Sequence, residues 1–191
     1  MIVYLHGFKS SPQSFKARLL GDVLDARGRA NEYVCPQLPA SPTAAIMLAM
    51  TLVGTVPPDE LTLIGSSLGG YYATWMAERI GCRAVLLNPA IQAADKLGGQ
   101  VGIGTAYHSE QPFEFKTTYI DELRALQVPL ITQPQRYFLI AATGDEVLDW
   151  REMQAYYAGA SQRIIDGSDH GLSDFASHVG AVLGFCDLPA S

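Results

Sequence analysis

Short apolar runs that alternate with longer amphipathic stretches predict an α/β protein, with a six-stranded, mainly parallel sheet and helices on both faces. Three observations carry this expectation. The runs are nearly continuous in apolar residues, as strands covered on both sides should be. Each is separated from the next by a stretch of helical length, which is the rhythm of βαβ units. Glycine, proline and serine stand at the junctions, where turns and caps need them.

Taken in order, "IVYL" (Ile2–Leu5) is a first strand ended by His6 and Gly7. Ser11 before Pro12 reads as a helix N-cap with proline at the first helical position, and that helix should stop at Gly28. "EYVCPQL" is a second strand broken at Pro36, and Ser41-Pro42 repeats the cap signature before "TAAIMLAMTLV". "ELTLIG" is a third strand, "SLGGYYATWMAERI" a helix ended by Gly81, and "RAVLLN" a fourth strand halted by Pro89. The rhythm then breaks. Residues 89–133 hold a glycine-rich run, "GGQVGIG", and one helical pattern near the end of the segment. "RYFLIAA" is a fifth strand, "DWREMQAYYAG" a helix, "QRIID" a sixth strand, and "LSDFASHVGAVLGF" a closing helix.

Composition narrows the function classes. The 191 residues suit one domain, 1–191, with 89–133 as a lid-like insertion. Thirteen Lys and Arg stand against nineteen Asp and Glu, a net charge of −6, which argues against a nucleic-acid partner. No apolar run approaches the roughly 20 residues that span a bilayer, and "MIVYLHGF" does not begin as a secretory signal does. Cys35, Cys82 and Cys186 are odd in number and widely spaced, which predicts reduced thiols in a cytoplasmic protein, not a disulfide frame or a metal site.

The junction between the third strand and its helix reads Gly65-Ser66-Ser67-Leu68-Gly69. A dinucleotide fingerprint wants glycine where Ser67 stands, and a phosphate-binding loop wants a lysine the turn lacks. The pattern that fits is the GxSxG elbow, in which a strained turn lifts the middle serine above the sheet. That spacing selects Ser67 over Ser66. The plainer alternative is an N-cap serine after a tight turn.

A nucleophilic serine needs a base, and the base an orienting acid, in the chain order Ser, Asp or Glu, His. "TGDEVLDW" follows the fifth strand and "DGSDHGL" the sixth. His170 is therefore the expected base; His108 and His178 read as surface or packing residues. Asp149 opens an Asp-x-x-Glu capping box with Glu152, so Asp145 is the expected acid, ahead of Asp149 and Asp169. Backbone N–H donors for an oxyanion should come from Leu68, at the helix N-terminus, and from Phe8. The second donor requires the first strand to lie beside the third, in a sheet of order 2-1-3-4-5-6. His6 is expected to hold that loop by hydrogen bonding. The aromatic side chains Tyr71, Tyr107, Phe113, Phe115 and Tyr119 are the expected walls of a substrate pocket, or else pack the insertion onto the sheet.

"YLHGF", "SSP", "GSSLGGYYAT", "LLNPA", "TGDEVLD" and "DH", in that order, resemble the YqiA-type esterases of the α/β-hydrolase superfamily. The resemblance runs from Ile2 to about Phe185. It implies a small intracellular serine esterase without the first two strands of larger relatives, with its nucleophile on Ser67, acid on Asp145 and histidine on His170. The expected partner is a small acyl ester or thioester, with no cofactor and no metal. A serine peptidase, or a hydrolase-fold binding module without chemistry, is the alternative.

Overall fold

The computed structural model describes residues 1–107 and 112–187. Its strands are β1 (Ile2–Leu5), β2 (Tyr33–Val34), β3 (Thr62–Ser66), β4 (Arg83–Leu87), β5 (Gly102–Thr105), β6 (Pro112–Phe115), β7 (Tyr137–Ala142) and β8 (Ser161–Ile165). Its helices are α1 (Phe15–Ala26), α2 (Pro42–Val53), α3 (Leu68–Ile80), α4 (Ala93–Leu97), α5 (Thr118–Ala125), α6 (Trp150–Tyr156) and α7 (Val179–Cys186). The main sheet has the order β2-β1-β3-β4-β7-β8, and every pairing in it is parallel. This is the expected order. β5 and β6 form a separate antiparallel pair.

Alternation along each strand divides the core into two layers. Val3, Leu5, Leu63, Leu86 and Leu139 face one side, where α2, α3, α5 and α6 pack. Tyr4, Ile64, Val85, Leu87 and Ile140 face the other, against α1 and α7. Covering both faces removes water from nearly every side chain of β1, β3, β4 and β7, which is why those runs are apolar at odd and even positions alike. β1 stands between β2 and β3, so the chain direction of travel across the sheet reverses there. Loops leaving the carboxyl ends of β1 and β3 therefore diverge and leave a crevice.

Four boundaries differ from the sequence reading. α1 begins at Phe15, not at Pro12: Ser11 accepts from the Gln13 amide through Oγ and from the Ser14 amide through its carbonyl, so Ser-Pro makes a turn before the helix. The same donors and acceptors serve a turn or a cap, and sequence does not separate them. β2 keeps only two of its seven expected residues. The closing helix starts at Val179, not at Leu172: Leu172 takes a positive φ of 51°, which no α-helix accommodates, and Phe175–Ser177 form a tighter 3-10 turn ahead of the helix. Residues 89–133 hold α4 and the β5–β6 pair besides the expected helix, which is α5. Gly102 and Gly104 hide β5, since glycine is depleted in strands. The Ser41 cap is formed as expected, its Oγ accepting from the Ala44 amide at 3.1 Å.

Candidate active site

Ser67 lies between β3 and α3, at φ 53° and ψ −118°. The glycines around it answer to close packing. A Cβ on Gly65 would stand inside the Gly69 carbonyl, and one on Gly69 inside the carbonyl of Leu5. Only glycine lets strand and helix approach so closely. Ser67 occupies the N-cap position of α3, but its side chain makes no capping bond. The Oγ stands 3.0 Å from His170 Nε2 instead. Ser66 is buried, and its hydroxyl is bonded to the Tyr4 phenol.

His170 comes from the loop after β8, and its Nδ1 lies 2.8 Å from Asp145 Oδ2. Asp145 comes from the loop after β7, and its side chain is closed off from solvent. Its other oxygen accepts from the amides of Val147 and Leu148, both at 2.8 Å. Burial alone would raise this carboxyl; the His170 contact and the two amides outweigh it and hold it below the usual range. An ionised carboxylate accepts only, so the proton sits on His170 Nδ1 and Nε2 offers a lone pair to the serine hydroxyl.

The other aspartates are engaged elsewhere. Asp149 Oδ1 caps α6 through the Arg151 amide at 2.9 Å, while Glu152 turns to Lys96 at 3.8 Å. Asp169 Oδ1 accepts from the Ser173 amide at 2.9 Å and shapes its own turn. His178 pairs with Asp174 at 3.1 Å, and His108 lies outside the described residues.

Phe8 follows β1, and the register Leu5↔Gly65 brings its loop to Ser67. A Cβ on Gly7 would come within 3.2 Å of Ser67 Cβ. The backbone N–H groups of Phe8 and Leu68 have no acceptor among the described residues. Both residues line a cavity of about 420 Å³ that opens over Ser67 and His170. His6 does not reach the serine. It is buried, with Nε2 accepting from the Leu38 amide at 3.0 Å and Nδ1 against Gly7 O at 3.0 Å, so it carries its proton on Nδ1 and ties the loop down.

Of the five aromatic residues expected to wall the pocket, Tyr107 does; Tyr71, Phe113, Phe115 and Tyr119 do not. Tyr71 is buried and donates its hydroxyl to the Leu123 carbonyl, pinning α5 to α3. Phe113 and Phe115 lie two apart on one face of β6 and meet the Phe8 ring edge-on at 5.2 and 5.0 Å, with Tyr119 against Phe115. Strand alternation turns that face to the core. The insertion's own contribution to the cavity is Ala90, Ala93, Lys96, Leu97, Gln100 and Tyr107.

Three further residues escaped the sequence reading. Asn88, fully buried at the end of β4 with φ 42°, donates through Nδ2 to the carbonyls of Asp169 and His170, at 3.0 and 3.1 Å. Its Oδ1 accepts from the Ala142 amide at 2.9 Å. Glu146 accepts from the His170 amide at 3.0 Å. Lys16 is a buried lysine on the cavity wall. Asparagine directly before a proline at a strand end was the one signal available.

The model of UPF0227, described as an uncharacterised protein family, matches residues 1–187. An Agrobacterium vitis S4 protein superposes with a TM-score of 0.77 at 16% identity, covering 97% of this chain and 87% of its own. Mouse alpha/beta hydrolase domain-containing protein 10 gives 0.72 at 14% identity, covering 96% of this chain and 89% of its own. Est1E of Butyrivibrio proteoclasticus, solved with ferulic acid bound, gives 0.71 at 15% identity, covering 95% and 87%. At such identities the likeness is one of fold, and the fold is that of the α/β hydrolases.

Proposed function

The chain belongs to the UPF0227 family, and from the geometry around Ser67 we propose that it hydrolyses carboxylic esters or thioesters through an acyl-serine intermediate. The observation that carries this reading is the hydrogen-bonded series Ser67 Oγ, His170, Asp145, with gaps of 3.0 and 2.8 Å.

In this mechanism His170 Nε2 removes the proton from Ser67 Oγ as the oxygen attacks the acyl carbon. The carbonyl oxygen gains the negative charge and receives the N–H groups of Leu68 and Phe8, aided by the N-terminal end of α3. His170 then passes the proton to the departing alkoxide or thiolate. Asp145 keeps the imidazole in the tautomer it needs and stabilises the imidazolium. Water, deprotonated by the same nitrogen, attacks the acyl-enzyme and releases the acid and free Ser67. No step needs a cofactor or metal.

One further feature supports a small substrate enclosed by the chain. The segment running from α4 to Tyr107 covers the cavity, tied to the oxyanion loop where the Tyr107 amide donates to the Lys9 carbonyl at 2.8 Å. We assign it the part of a lid. Among the described residues no helix is long and apolar enough to cross a membrane, and the three thiols are unpaired, in keeping with a cytoplasmic location.

Labelling with a fluorophosphonate tests the reading. The adduct should form on Ser67, and Ser67→Ala should abolish both labelling and ester turnover, while Ser66→Ala keeps most of each. An adduct on Ser66, or undiminished turnover in Ser67→Ala, refutes the assignment.

A further inference from the structure

Lys16, on the first turn of α1, is only 8% exposed, and it lines the cavity that holds Ser67. Lysine is almost never buried without a partner of opposite charge. Here the ammonium donates to the Gly171 carbonyl, and among the described residues it forms no ion pair. One neutral acceptor leaves two of its three N–H directions unanswered. Ser14, two positions earlier in the chain, lines the same cavity, and its enclosed Oγ has no hydrogen-bond partner among the described residues. Ser14 is the N-cap residue of α1, yet its side chain makes no capping bond.

Two enclosed donors on the lining of one cavity, both short of acceptors, suit an anionic group of a ligand. The surrounding charge agrees. Among the described residues no Asp or Glu lines the cavity, whereas Lys9, Lys16 and Lys96 all do, in a chain that is acidic overall. Lys9 and Lys96 have partners, Gln100 at 3.4 Å and Glu152 at 3.8 Å. Lys16 is the buried one. Burial pulls its ammonium down to about 8 against the fields of Asp169 and Asp145, so it stays largely charged at neutral pH. The hydrolytic mechanism makes no use of it.

We propose that Lys16 Nζ and Ser14 Oγ form a carboxylate subsite beside Ser67, and that the substrate is an ester bearing a free carboxylate, such as a half-ester of a dicarboxylic acid. One ammonium and one hydroxyl match the single charge and two oxygens of a carboxylate. The apolar wall of Leu68, Ala93, Leu97 and Leu148 takes the methylene chain between the two ends. The products are the dicarboxylate and the alcohol. This inference rests on the hydrolase reading of the same site.

The test is a titrimetric assay of monoethyl esters of four- to eight-carbon dicarboxylic acids against ethyl esters of fatty acids of matched length. At the best length the half-ester should be preferred at least tenfold in kcat/KM. Lys16→Met should cut that preference at least tenfold through KM, and Ser14→Ala should cut it several-fold. Equal turnover of the two series at every length overturns the subsite and leaves the hydrolase reading standing. So does an equal fall for both series in Lys16→Met, which would make Lys16 a support for the Gly171 carbonyl alone. Should Lys16→Met not fold, the intact protein decides the matter: competitive inhibition by a free dicarboxylate but not by the corresponding diol supports the subsite, and equal effects of the two overturn it. If no ester is turned over and Ser67 is not labelled, the hydrolase reading fails. Calorimetric binding of the half-ester, weakened in Ser14→Ala, then still decides for or against the subsite.

Discussion

Replacing Asn88 by alanine should damage both stability and turnover, although Asn88 touches neither Ser67 nor substrate in the proposed mechanism. The side chain joins three loops: it holds the Ala142 amide at the end of β7 and the carbonyls of Asp169 and His170. Alanine orphans one buried N–H and two buried carbonyls, at about 1–3 kcal/mol for the N–H and about 1 kcal/mol for each carbonyl. It must also hold φ 42°, which asparagine tolerates and alanine resists by about 1 kcal/mol. The sum is about 4–6 kcal/mol, a large part of the 5–15 kcal/mol typical of a folded domain. Asn88→Gly relieves the backbone part alone and should be about 1 kcal/mol less damaging than Asn88→Ala. Urea unfolding followed by tryptophan fluorescence measures both variants, with Trp75 and Trp150 as reporters. Where the alanine variant stays folded, the freed His170 loop should lower kcat about 100-fold, the usual cost of about 1 Å of misplacement. A destabilisation below about 1 kcal/mol would refute the assignment of these bonds to stability. Lost stability with intact kcat would refute the claim that they position His170.

Ser67→Gly should raise stability by about 1–2 kcal/mol while abolishing turnover, because the strained φ of 53° is free for glycine; calorimetric melting shows it, and no gain over Ser67→Ala counts against strain. Asp145→Asn should lower kcat by about 10⁴ with little thermal cost, whereas Asp149→Ala should cost about 1 kcal/mol of stability through the lost cap and leave kcat alone. The reverse pattern would move the acid to Asp149. Lys16 titrates near 8 in the folded protein against its usual 10.5, so the folded state binds fewer protons than the unfolded state between those values. Stability should therefore rise with pH across that window relative to Lys16→Met, by at most about 3 kcal/mol, and be lost again as pH falls through 8. Unfolding curves at pH 7 and pH 10.5 decide it. Gly102→Ala should lower the melting temperature, since φ 134° is barred to alanine, while Gly99→Ala, with open space around its Cα, should not.

What the chain discloses without its tertiary structure is local or periodic. Nearly continuous apolar runs at β3, β4 and β7 report strands covered on both faces, and their alternation with helices forces a parallel sheet. The glycines around Ser67 record a backbone collision that only a strand meeting a helix produces, so the elbow announces itself within five residues. Asp145 and His170 were legible from their places after later strands, since the sheet order carries those loops to one edge. Distance in sequence hid the rest. Asn88 makes its bonds with residues more than fifty positions away, and nothing beside it marks a bonded side chain rather than a turn former. Phe113 and Phe115 look alike whether they face a cavity or the Phe8 ring; only the seating of β6 turns them inward. Burial of Lys16 depends on α1 lying across the Gly171 loop, a contact between chain segments 155 residues apart. Secondary structure follows from neighbours along the chain, but the surroundings of a side chain follow from neighbours in space.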